Sequence, residues 1–88
     1  MKIKNGFLMK SVAGRTIVVP VDGATLDFNG VLTLNETGAF LFSLLQKEDL
    51  SAEQLTEKIT ESYDIDKEIA ASDVEKFIEK ISEAGMIK

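Results

Sequence analysis

The chain has neither cysteine nor histidine. Without cysteine there is no disulfide framework, no zinc–thiolate site and no thiol nucleophile. Without histidine there is no Ser–His or Cys–His pair and no imidazole metal ligand. The sequence also lacks a glycine-rich phosphate loop. Its longest apolar run is four residues, far short of the roughly 20 that span a bilayer. The N-terminal stretch carries scattered lysines and only the short run Phe7-Leu8-Met9, not the longer apolar segment of a signal peptide. These absences predict a cytoplasmic protein with no membrane partner and no cofactor. They also remove most of the residue types from which an independent catalytic site is built, so no catalytic residue is assigned.

What is present is a globular composition: 88 residues, 44% hydrophobic and 28% charged, with a net charge of −5. That length predicts one domain, residues 1–88, with an economical core. The charge is unevenly placed. Residues 1–47 hold five basic and three acidic side chains, whereas residues 48–88 hold five basic and twelve acidic. The two halves therefore read as differently built parts sharing one core.

The first third reads as strands. Phe7 to Val12 and Arg15 to Val21 flank Ala13-Gly14, and the β-branched run Ile17-Val18-Val19 suits a pleated surface. Gly14 supplies the positive φ of a tight reverse turn, so an antiparallel hairpin is expected. Pro20 cannot donate to a ladder and belongs at a strand edge or end. Asp22-Gly23 and Asn29-Gly30 are further turn signals, the second folding Ala24–Phe28 back toward a third strand at Val31–Leu34.

The remainder reads as three helices. The first starts near the capping residue Asn35, with Phe40, Leu41, Leu44 and Leu45 as its apolar stripe. Gly38 weakens it by about 1 kcal/mol relative to alanine, which suggests close packing of another backbone. The second has a capping box, Ser51 with Gln54, and a hydrophobic staple, Leu50 with Leu55, followed by Ile59. The third starts between Asp66 and Ser72. Val74, Phe77, Ile78 and Ile81 recur at the i, i+3, i+4, i+7 spacing of a buried face. Gly85 is the expected residue just past its end, with Met86 contacting Ile81. The predicted fold is α+β: an N-terminal three-stranded antiparallel β-sheet followed by three α-helices, a winged helix-turn-helix-like arrangement.

Several sharper readings fail on the residues themselves. Asp64, Asp66, Glu68, Ser72 and Glu75 imitate the oxygen-ligand spacing of a calcium loop, but Ile69 occupies the position that needs glycine, so no metal site is assigned. Asp49-Leu50-Ser51 inverts the order of a carrier-protein motif, and Ser51 reads as a plain cap. A winged-helix DNA-binding regulator is the main alternative. Its helices need basic groups for phosphates, yet Ser51–Ser62 carries three acids and one lysine, and Ser72–Ala84 four acids and two lysines. A structural subunit of a larger assembly is a further alternative. A binding module fits better. A sheet edge beside an apolar helix can accept an extended peptide as an added strand, with backbone hydrogen bonds supplying affinity.

Two stretches carry a family resemblance. Leu34-Asn35-Glu36-Thr37-Gly38-Ala39, followed by Phe40 to Leu45, resembles the strand–helix junction of the PqqD family. Tyr63-Asp64-Ile65-Asp66, Ala71-Ser72-Asp73-Val74-Glu75-Lys76-Phe77 and Gly85-Met86-Ile87 are similar to that family's C-terminal pattern. The resemblance implies a winged helix-turn-helix fold used for peptide rather than nucleic acid. PqqD-like domains bind the leader of a ribosomally made precursor peptide and present its core to a modifying enzyme, often a radical S-adenosylmethionine protein. The leader adds beside the third strand and packs on the third helix. Carried over, the resemblance implies an edge at Val31, Leu32, Thr33 and Leu34 and a wall including Val74, Phe77, Ile78 and Ile81. A monomer or weak homodimer is expected, since edge strands invite pairing.

Overall fold

The structure, a computed structural model, describes residues 1–21 and 32–88. In chain order it forms β1 (Phe7–Val12), β2 (Arg15–Pro20), β3 (Leu32–Leu34), α1 (Glu36–Lys47), α2 (Ala52–Ser62) and α3 (Lys67–Glu83). The sheet is antiparallel in the order β1-β2-β3, so among the described residues β1 and β3 are its two edges. The predicted architecture is therefore observed. Asp22-Gly23, Ala24–Phe28, Asn29-Gly30 and Val31 lie outside the described residues, and β3 is described from Leu32.

The β1–β2 hairpin closes through Ala13 and Gly14, which have φ of 52° and 78°. Positive φ at both central residues is what the twist of a two-residue hairpin requires. Pro20 ends β2 opposite Phe7, where its missing N–H costs no internal ladder bond. Alternation then divides the sheet into two faces. Phe7, Val18, Leu32 and Leu34 are buried against the helices, while Leu8, Val12 and Thr33 stand exposed on the other side.

Each helix begins for a reason visible in its side chains. Asn35 caps α1 by accepting from the Gly38 N–H at 2.7 Å. Gly38 is tight against side chains rather than against another backbone. A Cβ there would lie 3.1 Å from Asn35 Oδ1 and 3.4 Å from Leu34 Cδ2. The buried stripe of α1 is Gly38, Leu41, Phe42 and Leu45. It is rotated from the expected Phe40-Leu41-Leu44-Leu45 because Phe42, fully buried, takes the central place. Phe40 and Leu44 are left half-buried at the margin, Phe40 edge-on to Tyr63 with ring centres 5.6 Å apart.

The second helix has both halves of its capping box: Ser51 N–H donates to Gln54 Oε1 at 2.9 Å and Gln54 N–H to Ser51 Oγ at 3.2 Å. Helix α3 runs unbroken from Lys67, so Glu68, Ser72 and Glu75 lie on helix and not on a metal-binding loop. It ends at Gly85 with φ of 72°. There the Gly85 N–H donates to the Ser82 carbonyl and the Met86 N–H to the Ile81 carbonyl, each at 3.0 Å. That double return is the Schellman ending, and the fully buried Met86 and Ile81 supply its apolar contact.

One cluster joins the inner sheet face to all three helices, centred on Val18, Leu41, Phe42, Leu45, Leu55, Ile59, Val74 and Ile81. Burying each such side chain contributes about 1.5–3 kcal/mol. The chain ends close this core from outside the sheet. Ile3 is buried and forms an isolated antiparallel bridge with Ile87. Lys4 N–H donates to the Met86 carbonyl and Lys88 N–H to the Lys2 carbonyl, both at 2.8 Å. The Met1 ammonium donates to Asp49 Oδ1 at 2.6 Å, and this bond holds the Asp49 carboxyl below its ordinary range. No helix among the described residues is long and apolar enough to cross a membrane.

Candidate functional site

The short strand β3 sets the site. Among the described residues it pairs with β2 on one side only, Thr16 with Leu34, Ile17 with Thr33 and Val18 with Leu32. Leu32 and Leu34 send their side chains into the core, 2% and 5% exposed. What they leave for a partner is backbone. Lys80, reaching from α3, donates to the Thr33 carbonyl at 2.6 Å. That carbonyl therefore points away from β2, toward α3. In an antiparallel strand a residue's N–H and C=O point to the same side, so the Thr33 N–H faces α3 too. The outer edge of β3, unpaired among the described residues, and the flank of α3 thus form two sides of one groove.

Helical spacing places the other wall. Asp73, Lys76, Phe77 and Lys80 stand at i, i+3, i+4 and i+7, on one face of α3. With Leu34 and the first turn of α1 (Asn35, Thr37 and Gly38) they line a cavity of about 240 Å³. Asn35 contributes twice, closing this end of the groove and capping the helix that begins there.

The residues expected from the sequence fall into distinct places. Thr33 lies exposed on the edge. Phe77 is largely buried but touches the cavity. Val74 and Ile81, 1% and 0% exposed, belong to the core layer behind it. Ile78 is half-buried and lines a separate, shallower depression with Glu75 and Glu79. Val31 lies outside the described residues. Asn35, Thr37, Lys76 and Lys80 are cavity residues that a search for apolar positions passes over. The signal that finds the two lysines is the i, i+3, i+4, i+7 set of mixed polarity, Asp73, Lys76, Phe77 and Lys80, one position ahead of Val74, Phe77, Ile78 and Ile81 on α3.

Residues 15–87 match the family Coenzyme PQQ synthesis protein D (PqqD). The chain belongs to the PqqD family. Among solved structures this PqqD-family chain is similar to "TbiB1 in Complex with the TbiA(beta) Leader Peptide", with a TM-score of 0.72 and 16% identity over 100% of this chain and 95% of that one. At that identity the likeness establishes a shared fold, including the three-stranded sheet followed by three helices. No curated protein sequence matches the chain. In this PqqD-family fold the groove between β3 and α3 is built from a backbone edge and a helix face. A backbone edge beside a helix face is an arrangement suited to holding an extended chain.

Proposed function

We propose that the protein is a leader-peptide recognition factor that works in the cytoplasm. It takes up the leader of a ribosomally made precursor as an added strand on β3. It presents the core of that precursor to a modifying enzyme, a radical S-adenosylmethionine protein. The observation that carries this reading is the orientation of Thr33, whose backbone is directed into a groove walled by α3. Membership of the PqqD family supports it, as does the leader peptide bound by TbiB1, a protein of the same fold. The docking strip is the backbone of Leu32, Thr33 and Leu34. Phe77 is the apolar floor, Val74 and Ile81 give that floor a rigid backing, and Ile78 flanks it.

Mechanistically the protein is a tether. Strand addition supplies affinity through the main chain, and the helix face supplies specificity. Holding substrate and enzyme on one platform raises their mutual effective concentration, to the millimolar range for short flexible connections. No chemistry of its own is needed for that role.

The test is a calorimetric titration with a peptide selected on the wild-type protein from a displayed random library, or with the synthetic leader of any short precursor found encoded near this gene. Wild type should bind it saturably. Thr33→Pro removes only the N–H that faces the groove, a position where an edge strand tolerates proline, so the variant should fold and bind at least about tenfold more weakly. Thr33→Val, which keeps the N–H, should bind like wild type. A folded Thr33→Pro protein with unchanged affinity would rule out β3 as the docking edge.

A further inference from the structure

We propose that the docked segment of the leader carries an aspartate or glutamate at a fixed position, read by Lys80 and Lys76. This inference rests on the leader-binding reading and specifies the class of peptide the groove accepts. Helix α3 is acidic over most of its surface, through Glu68, Asp73, Glu75, Glu79 and Glu83. Its two groove-side cations are an exception placed one turn apart. Among the described residues neither lysine has a carboxylate within 4.0 Å, the sole ion pair being that of Met1 with Asp49. Lys80 instead spends its ammonium on the Thr33 carbonyl.

That bond makes Lys80 a guard on the strand edge. A lysine at an edge is one of the devices that keep sheets from pairing indiscriminately. An incoming strand needs the Thr33 carbonyl for its own N–H. Lys80 must then release or share that oxygen, and its ammonium is left beside the new strand with donors to satisfy. Lys76 faces the same cavity, and the opposing charge in the lining is the single carboxylate of Asp73. Two cations against one anion leave the cavity net positive in a chain of net charge −5. A carboxylate on the leader satisfies the displaced ammonium and completes a charge-assisted contact. A leader without one leaves Lys80 competing for the edge. The cavity, at about 240 Å³, has room for an acidic side chain, with Asn35 and Thr37 offering further polar contacts.

The probe is a displayed library of random dodecapeptides, selected separately on wild type, on Lys76→Gln/Lys80→Gln and on Lys76→Glu/Lys80→Glu. Both lysines are solvent-exposed, so the variants should fold, which circular dichroism checks. Wild type should enrich peptides sharing apolar positions and one acidic position at constant spacing. The Gln variant should lose the acidic preference and keep the apolar one, and the Glu variant should select lysine or arginine there. A synthetic wild-type hit with its acid changed to the amide should bind wild type about tenfold more weakly and the Gln variant equally well. Hits with a common apolar pattern but no acidic position would overturn this inference and leave leader binding standing. Failure to enrich any peptide on wild type would overturn both.

Discussion

Ala13 is an L-residue held at φ 52°, where its Cβ crowds the following carbonyl at a cost of about 1–2 kcal/mol. Asparagine bears that conformation more easily, and Asn-Gly is the favoured pair for this turn. Ala13→Asn is therefore expected to stabilise the protein by about 0.5–1 kcal/mol, raising Tm by a few degrees in a melt. Gly85→Ala should do the opposite, losing about 1–2 kcal/mol by placing a Cβ at φ 72° in the Schellman turn. Both positions are legible in the sequence only through glycine. Gly14 and Gly85 announce turns because few other residues adopt positive φ, whereas nothing about Ala13 announces its strain. Lys80 is similarly silent: a lysine on an acidic helix reads as a solvated side chain until the fold brings it to Thr33.

Among the elements, local signals were most readable where they close on themselves. The capping box of α2 needs only residues three apart, and it forms as its sequence predicts. Ser51→Ala should cost about 1 kcal/mol, seen as a lower denaturation midpoint. Peptide affinity should be unchanged, because α2 does not line the groove. Helix α1 was harder to orient. Phe40, Leu41, Phe42, Leu44 and Leu45 offer more apolar positions than one face can bury, and periodicity alone does not choose among them. Packing chooses Phe42. On α3 the spacing identifies Val74, Phe77 and Ile81 as inward-facing, but inward toward the core and inward toward the groove are adjacent faces of the same helix. That adjacency is why the groove's polar members were invisible to a reading built on apolar positions.

At the scale of the molecule, the closing contacts join residues far apart in sequence, which no local pattern encodes. Ile3 meets Ile87, and the main chain near each end pairs with the other. Ile3→Ala empties a buried position and should cost about 2–4 kcal/mol, measurable by chemical denaturation, without altering the groove, whose lining does not include Ile3. The sheet order has the larger consequence. Because β1 and β2 form a hairpin and β3 pairs on one side only among the described residues, those residues leave a strand position beside β3 unfilled, next to the longest helix described. It was the family resemblance, carried in part by the junction Leu34–Ala39, that pointed to an edge at this strand. The direction of that edge was not legible, since the side to which Thr33 turns its N–H follows from the register with β2.

The central claim is that this edge is where a leader adds, and amide hydrogen exchange of β3 reads it residue by residue. The probe is a tight-binding peptide from the display selection. In the free protein the Thr33 amide should exchange faster than those of Leu32 and Leu34, which face β2. On saturation with peptide, Thr33 should become strongly protected while its two neighbours change little. Full binding with Thr33 still exchanging at its free rate would contradict strand addition on β3.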